Sequence, residues 1–434
     1  MTFAGVAETV AQIDGSIGRG PLKSGTGKTF TRTLGAALIA LSLGGSFSPA
    51  FAEEPIKIGA IFDLTGDLNI YGIQQSRALH LAVNEINAAG GVLGRQVAIV
   101  ESDAQSQQAK YTQYANTLIM RDRITVLFAG LTSSAREAIR PIIRRANVPY
   151  FYSSLYEGGG CDKQTFVTGP SASQQLSVLI PWAVKTYGRR LFIMAPDYNF
   201  GIISAQWIKK YAANLGGEIV GTDILPLTVT DYSPTIQKIQ AAKPDVVVAL
   251  PVGANQTGFL EQFAAAGLKE KIALVSTNYG SGNQQVVLSP GAARGIVVSP
   301  EYVSSISNPQ NQALKVNWEK QYKTKEPIIG VEIDVWNAAW LWAESVKRAG
   351  STDPGKVIAA LESGISLDAP NGKITLDPKS HHLKQNIFIA KGNEHRDFDI
   401  IETYDGVAPA FEEKVCDLIA HPATAAHFTN PNDF

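Results

Sequence analysis

Histidine, cysteine and methionine are scarce in this chain of 434 residues, which contains six, two and three of them. Basic residues do not outnumber acidic ones, 38 Lys and Arg against 39 Asp and Glu. No Lys/Arg stripe is interleaved with aromatics, so nucleic acid is not an expected partner. Signatures of common hydrolases and metal sites are missing: there is no G-x-S-x-G, no H-E-x-x-H and no C-x-x-C. His381, His382, His395 and His421 fall in the C-terminal fifth, away from every candidate binding turn. Adjacent residues on a strand point to opposite faces, so His381 and His382 are expected in a solvated turn and not on a metal. His80, inside a helical pattern, is expected at the surface. An amide hydrolase needs a nucleophile and a base within hydrogen-bond reach, which turns this poor in histidine do not supply. Neither an enzyme nor a cofactor is expected.

Long apolar runs are absent too. The longest candidate, residues 34–43, is about half the roughly 20 residues a spanning helix requires. Lys28 and Arg32 precede it and Ala50-Phe51-Ala52 follows, which reads as a secretory signal (residues 1–52) cleaved before Glu53. The long lead before it suggests a start codon placed too early. Its segment 24–29, SGTGKT, resembles the end of a phosphate-binding loop, but Leu22 stands where that loop needs glycine. The mature protein is expected outside the cytoplasmic membrane. In that oxidising setting Cys161 and Cys416 either form a disulfide or are two unrelated buried thiols.

What is present is a chain 45% hydrophobic and 18% charged, long enough for two cores. Short apolar runs alternate with helical patterns: strands at 56–62, 96–102, 124–130 and 149–152, then a second series at 191–195, 218–225, 246–250 and 273–276. Such alternation predicts an α/β fold with parallel sheets covered on both faces. From residue 311 the chain becomes helical, with Trp336 and Trp340 one turn apart as core packing. Beyond Gly364 it turns to short strands.

In open parallel sheets, ligands sit beyond the carboxyl ends of strands. Here those turns are rich in hydroxyls, amides and aromatics: Thr132-Ser133-Ser134, Tyr152-Ser153-Ser154, Tyr198-Asn199-Phe200, Asn255 and Asn278-Tyr279. Hydroxyls and amides orient a polar solute, and aromatic faces exclude water from it. Ser133, Ser134, Tyr152, Ser154, Tyr198, Phe200, Asn255, Asn278 and Tyr279 are therefore the candidate ligand-binding residues.

Two segments carry a family resemblance: IKIGAIF at 56–62 with Thr65-Gly66, and AVNEINAAGGVLGR at 82–95. They resemble the type 1 periplasmic solute-binding proteins of ABC importers, the branched-chain amino acid family in its broad sense. YSSLYEG at 152–158, GPSASQQ at 169–175, Asp197-Tyr198 and DAPNG at 368–372 look most like its amide- and urea-binding branch. The resemblance implies two α/β lobes, residues 53–171 with 303–366 and residues 172–302 with 367–434, joined by three crossings and closing by a hinge. It also implies a periplasmic monomer that delivers a small solute to a membrane permease. Ser133 and Ser154 match hydrogen-bonding positions, and Tyr152, Tyr198 and Phe200 match pocket walls. No carboxylate stands near Thr277-Asn278-Tyr279, where amino-acid binders hold the ligand's ammonium. A buried unpaired ammonium is costly, so a short amide, urea or related solute is expected in place of an amino acid. Asp197 or Glu157 turning inward would instead suit a cation. An amino-acid transport protein and a periplasmic sensor for a membrane receptor are the rival readings.

Overall fold

A computed structural model describes residues 53–434; the leader and its expected cleavage site lie outside the described residues. The first series of strands is β1 (Ile56–Phe62), β2 (Val97–Asp103), β3 (Leu127–Ala129), β4 (Tyr150–Tyr152), β5 (Gly160–Asp162) and β6 (Thr165–Val167). All but β5 form one parallel sheet in the order β2-β1-β3-β4-β6. Burial on both faces explains why β3 and β4 read as unbroken apolar runs and why β1 is interrupted only by the exposed Lys57.

The second series is β7 (Arg190–Pro196), β8 (Glu218–Leu225), β9 (Val246–Ala249), β10 (Ala273–Ser276) and β11 (Val297–Val298). These run parallel in the order β8-β7-β9-β10-β11. The C-terminal strands are β12 (Ser366–Ala369), β13 (Gly372–Leu376), β14 (Leu383–Gly392), β15 (Phe398–Val407) and β16 (Ala425–His427). The antiparallel β14 closes the second sheet against β11 and carries β13 and β15 with it.

The core of the first lobe gathers on the helix Gly330–Ala349, with Ile333, Leu341 and Trp342 fully buried against the helix Asn69–Ala88. Trp336 and Trp340 lie 5.6 Å apart at the edge of that core, where the Trp336 indole N–H donates to Glu85. Ile374, Leu376 and Leu383 join the same core although their strands continue into the second sheet. The chain thus passes between the two sheets and their cores after β6, after β11 and along β14. Glutamine side chains bolt these crossings. Gln175 donates to the carbonyls of Thr277 and Ser299, Gln174 to those of Leu383 and Val407, and Gln385 to that of Thr168. Buried carbonyls need such partners, since an unpaired one is costly.

Two helices begin inside turns expected from sequence: Asn199–Asn214 starts within Tyr198-Asn199-Phe200, and Ala254–Ala265 takes in Asn255. The first start depends on Gly201, where a Cβ would lie 2.0 Å from the Pro196 carbonyl oxygen. A glycine lets the helix begin directly on the strand end.

The expectation for His381 and His382 is overturned, since both are buried. The loop carrying them returns to cover β6, so that Val167 N–H donates to the His381 carbonyl and the His381 ring stacks on Phe166 at 4.3 Å. His382 Nδ1 donates to the Ser380 carbonyl at 2.7 Å, which leaves Nε2 to accept from the Tyr156 hydroxyl. Burial pushes the His382 pKa down to about 3, so the ring is neutral. His80 is half-exposed beside Glu101.

Cys161 and Cys416 are joined as a disulfide, with Cα atoms 5.7 Å apart. The bridge pins the C-terminal tail, whose β16 pairs with β5. Replacing both cysteines by serine is expected to cost about 2–5 kcal/mol and to expose the tail beyond Cys416. Denaturant titration with and without reductant measures the cost, and limited proteolysis near the C-terminus reads the release.

Candidate functional site

Beyond β3 and β4, the chain makes two tight turns that face the second lobe. Thr132 caps the helix Ser133–Ala146, its hydroxyl accepting from Ala135 N–H at 3.3 Å. Ser133 therefore sits on the first helical turn, where backbone N–H groups have no intrahelical acceptor. Tyr152 reaches across from β4 and donates its hydroxyl proton to the Leu131 carbonyl. From the other side come Tyr198 and Phe200 after β7, Val252 after β9, and Asn278 and Ser281 after β10. Tyr71, on the first helix, spans the gap: its oxygen accepts from Gly253 N–H at 3.0 Å and from the Gln284 amide at 2.8 Å. Together with Leu131, Leu155 and Val331 these residues line a half-open cleft between the lobes with about 30 Å³ of free space.

Directly beneath Ser133 lies a buried ion pair. Arg136 is fully buried on the same helix and meets Glu157, also fully buried, at 2.7 Å. The guanidinium is packed between aromatic faces, 5.1 Å from the Tyr152 ring centre and 4.7 Å from that of Tyr156. Burial alone would raise the Glu157 pKa, but Arg136 and His427 outweigh it and hold the carboxylate at about 2. His427, on β16, approaches Glu157 at 3.2 Å, so the disulfide-bound tail contributes to this network. Glu157 is thus an internal counter-ion and not a ligand for a solute cation.

This charge fixes the polarity of the serine above it. Ser133 donates its only hydroxyl proton to Glu157 at 2.6 Å, and a carboxylate accepts only. The serine oxygen consequently turns lone pairs to the cavity and acts there as an acceptor. Tyr71 has the opposite polarity. Its oxygen already accepts two hydrogen bonds, so its proton is left to donate. The Gln284 carbonyl accepts from Gly280 and Gly282 N–H groups, which fixes the amide that donates to Tyr71. Among the described residues, no Asp, Glu, Lys, Arg or His lines the cavity.

Six of the nine residues expected from sequence line this cavity: Ser133, Tyr152, Ser154, Tyr198, Phe200 and Asn278. Three do not. Ser134 is exposed and its hydroxyl pairs with that of Thr132. Asn255, on an early helical turn, bonds the Leu227 carbonyl and borders a separate pocket beneath β7. Tyr279 points away into the second lobe, donating to the Ala293 carbonyl at 3.1 Å and meeting Phe398 edge-on. In each case a local hydrogen bond or ring contact fixes the side chain's direction, which strand-end position does not reveal. Tyr71, Leu131, Leu155, Val252, Ser281 and Val331 line the cavity without having been expected there. Of these, Val252 and Ser281 lie in turns recognisable from sequence; Tyr71 and Val331 sit at helix starts without a distinguishing signal. Arg136 reads as an ordinary helical arginine, and Asp197 is exposed.

Comparison with known proteins places this geometry in context. The sequence profile of a family described as periplasmic binding protein matches residues 55–397. A Leu/Ile/Val-binding protein homolog 6 of Brucella melitensis is 23% identical over 360 residues, covering 81% of this chain and 91% of that protein. A solute-binding protein of an ABC transporter from Rhodopseudomonas palustris, solved with 3,4-dihydroxybenzoic acid, superposes with a TM-score of 0.74 at 23% identity, over 82% of this chain and 99% of that one. A branched-chain amino acid transporter substrate-binding protein of Streptococcus pneumoniae, solved with isoleucine, gives 0.70 at 19% identity, over 81% and 99%.

Glu157→Gln leaves the Arg136 charge buried without its neutralising partner and is expected to destabilise the fold by about 3–5 kcal/mol. The folded-state pKa of about 2 lies below the usual 4.5. The stabilisation is therefore present above the higher value and fades as pH falls toward the lower. Chemical denaturation of both proteins at stepped pH should show the difference between them shrinking over that acid window.

Proposed function

Because the chain belongs to the periplasmic binding protein family, we propose that it is the solute-binding component of an ABC importer and that its cleft takes a short amide with a compact apolar body. The observation that carries the ligand class is the paired polarity of Ser133 and Tyr71. A hydroxyl locked as acceptor suits an amide N–H, and one locked as donor suits the carbonyl oxygen. A carboxylate placed against Ser133 would meet lone pairs backed by Glu157. A zwitterionic amino acid would find no acidic side chain in the lining for its ammonium. Phe200, Leu131, Val252 and Val331 suit an apolar substituent, which urea lacks.

Binding draws on both lobes, Ser133, Tyr152 and Ser154 on one side and Tyr198, Phe200 and Asn278 on the other. A solute that touches both stabilises the closed arrangement over the open one, and this is the physical requirement for a ligand-driven population shift. The closed form then docks on a membrane permease, outside the cytoplasmic membrane.

A second reading is an aromatic monocarboxylate. The backbone N–H groups of Ser133 and Ser134 open a helix, a favourable setting for an anion, and the tyrosine and phenylalanine lining suits a ring. The neighbours solved with hydroxybenzoic acids bring the same class to mind.

Benzamide and benzoate have nearly the same shape and differ in the group that meets Ser133, so they separate the readings. Thermal shifts on unfolded-and-refolded protein, freed of carried-over ligand, are expected with benzamide and short alkyl amides and not with benzoate or leucine. Saturating ligand at a thousandfold excess over Kd stabilises the native state by about 4 kcal/mol, a shift of several degrees. Ser133→Ala is expected to weaken amide binding about tenfold, the equivalent of one hydrogen bond. A larger shift with benzoate overturns the amide in favour of the carboxylate, and a shift with leucine overturns both.

A further inference from the structure

A second cavity, with about 20 Å³ of free space, lies beside the cleft where the chain crosses between lobes, and shares Leu155 and Ser281 with it. Glu301, on the crossing after β11, lines this cavity and is only 3% exposed. Its carboxyl packs against the start of the helix Gly330–Ala349, where a Cβ on Gly330 would lie 2.0 Å from its oxygen. No Lys, Arg or His forms an ion pair with it among the described residues. The titratable group that faces it is another carboxyl, Asp334, 1% exposed and with both oxygens unpartnered, whose pKa burial pushes well above the usual carboxylate range. Burial pushes the Glu301 pKa up to about 7, as expected for a carboxyl without a counter-ion.

The rest of the lining is also rich in unmatched oxygen. The Gln285 amide oxygen and the Thr277 hydroxyl have no partner, and these residues are 1% and 4% exposed. Several donors around the cavity are committed elsewhere: the Tyr279 hydroxyl to Ala293, that of Tyr302 to Asn311, that of Ser281 to Asn278, and one Gln285 amide N–H to Asn283; the Thr277 hydroxyl can still donate or accept. A third carboxylate, Asp397, accepts from Ser304 and from its neighbour's N–H. The described residues hold no cluster of His, Cys, Asp and Glu suited to a metal ion. The rings of Tyr279, Tyr302 and Phe398 complete the wall, and aromatic faces attract a soft cation.

We propose that this cavity is a binding site for a primary ammonium group, as the ammonium ion or the head of a short alkylamine, held by Glu301, Gln285 and Thr277. Several N–H donors on one positive charge match a buried carboxyl and two partnerless oxygens better than a water can, because water brings no charge. Residues from the second lobe, the crossing and the first-lobe helix meet here, so occupancy ties the lobes together independently of the cleft. The inference goes beyond the amide reading and does not rest on it.

The test is thermal and calorimetric titration of the ligand-free mature protein with ammonium, methylammonium, tetramethylammonium and sodium chlorides at matched ionic strength. A saturable stabilisation of at least two degrees over sodium is expected with ammonium or methylammonium, the stronger of the two identifying the source. Tetramethylammonium, which has no N–H, should give none. Glu301→Gln is expected to abolish the effect and Thr277→Val to weaken it about tenfold, as for one lost hydrogen bond. Equal responses to ammonium, methylammonium and sodium overturn the site. So does a Glu301→Gln protein, folded by circular dichroism, that keeps the wild-type ammonium response.

Discussion

A guanidinium shut away from water at Arg136 has to be neutralised in place, and much of the first lobe's binding face is arranged by that requirement. Glu157 supplies the charge at 2.7 Å and the rings of Tyr152 and Tyr156 supply the walls. Glu157 has capacity for further donors, so it draws in the Ser133 hydroxyl and His427. The ion pair thus sets the polarity of the serine: it converts a hydroxyl that could donate or accept into one that only accepts. The same contact reaches the C-terminal tail, which the Cys161–Cys416 bridge holds against the loop carrying Glu157.

The two cavities at the lobe interface differ in polarity for related reasons. In the cleft, Ser133 and Tyr71 have their protons assigned by neighbours, giving one acceptor and one donor in an otherwise apolar space. In the cavity at the crossing, most donors are engaged, the Gln285 and Thr277 oxygens are left without partners, and Glu301 has no ion pair among the described residues. A neutral bifunctional group suits the first and a compact cation the second. Both are built from residues on more than one lobe, which is the condition for coupling occupancy to closure. Glutamine side chains join the segments that pass between the lobes, from Gln175 to Thr277, Gln174 to Leu383 and Gln385 to Thr168.

Element type was legible wherever one physical signal dominated. The short apolar runs of β7 and β10, bounded by turn residues and alternating with helical patterns, read as strands buried on both faces, and β10 falls on residues 273–276 as its pattern predicts. The turns after β3, β4, β7 and β10 were legible as well, because hydroxyls, amides and aromatics gather there. Signals failed where long-range packing sets the outcome. His381 and His382 look like a polar turn because nothing local shows that the loop returns to cover β6. Asn255 and Tyr279 have the residue types of a binding turn, yet Leu227 and Ala293 claim their polar atoms.

The sequence by itself therefore determined the alternating α/β architecture, since hydrophobic period and glycine-bounded runs act over a few residues. It also determined the chemical character of the strand-end turns and the scarcity of groups suited to catalysis. Tertiary structure alone decided which way each hydroxyl faces and which carboxylates have partners. Ser133 is an acceptor because Glu157, 24 residues away, takes its proton, and Glu157 is charged because Arg136 shares its burial. Protonation and hydrogen-bond direction depend on neighbours distant in the chain, and only the folded packing brings those neighbours together.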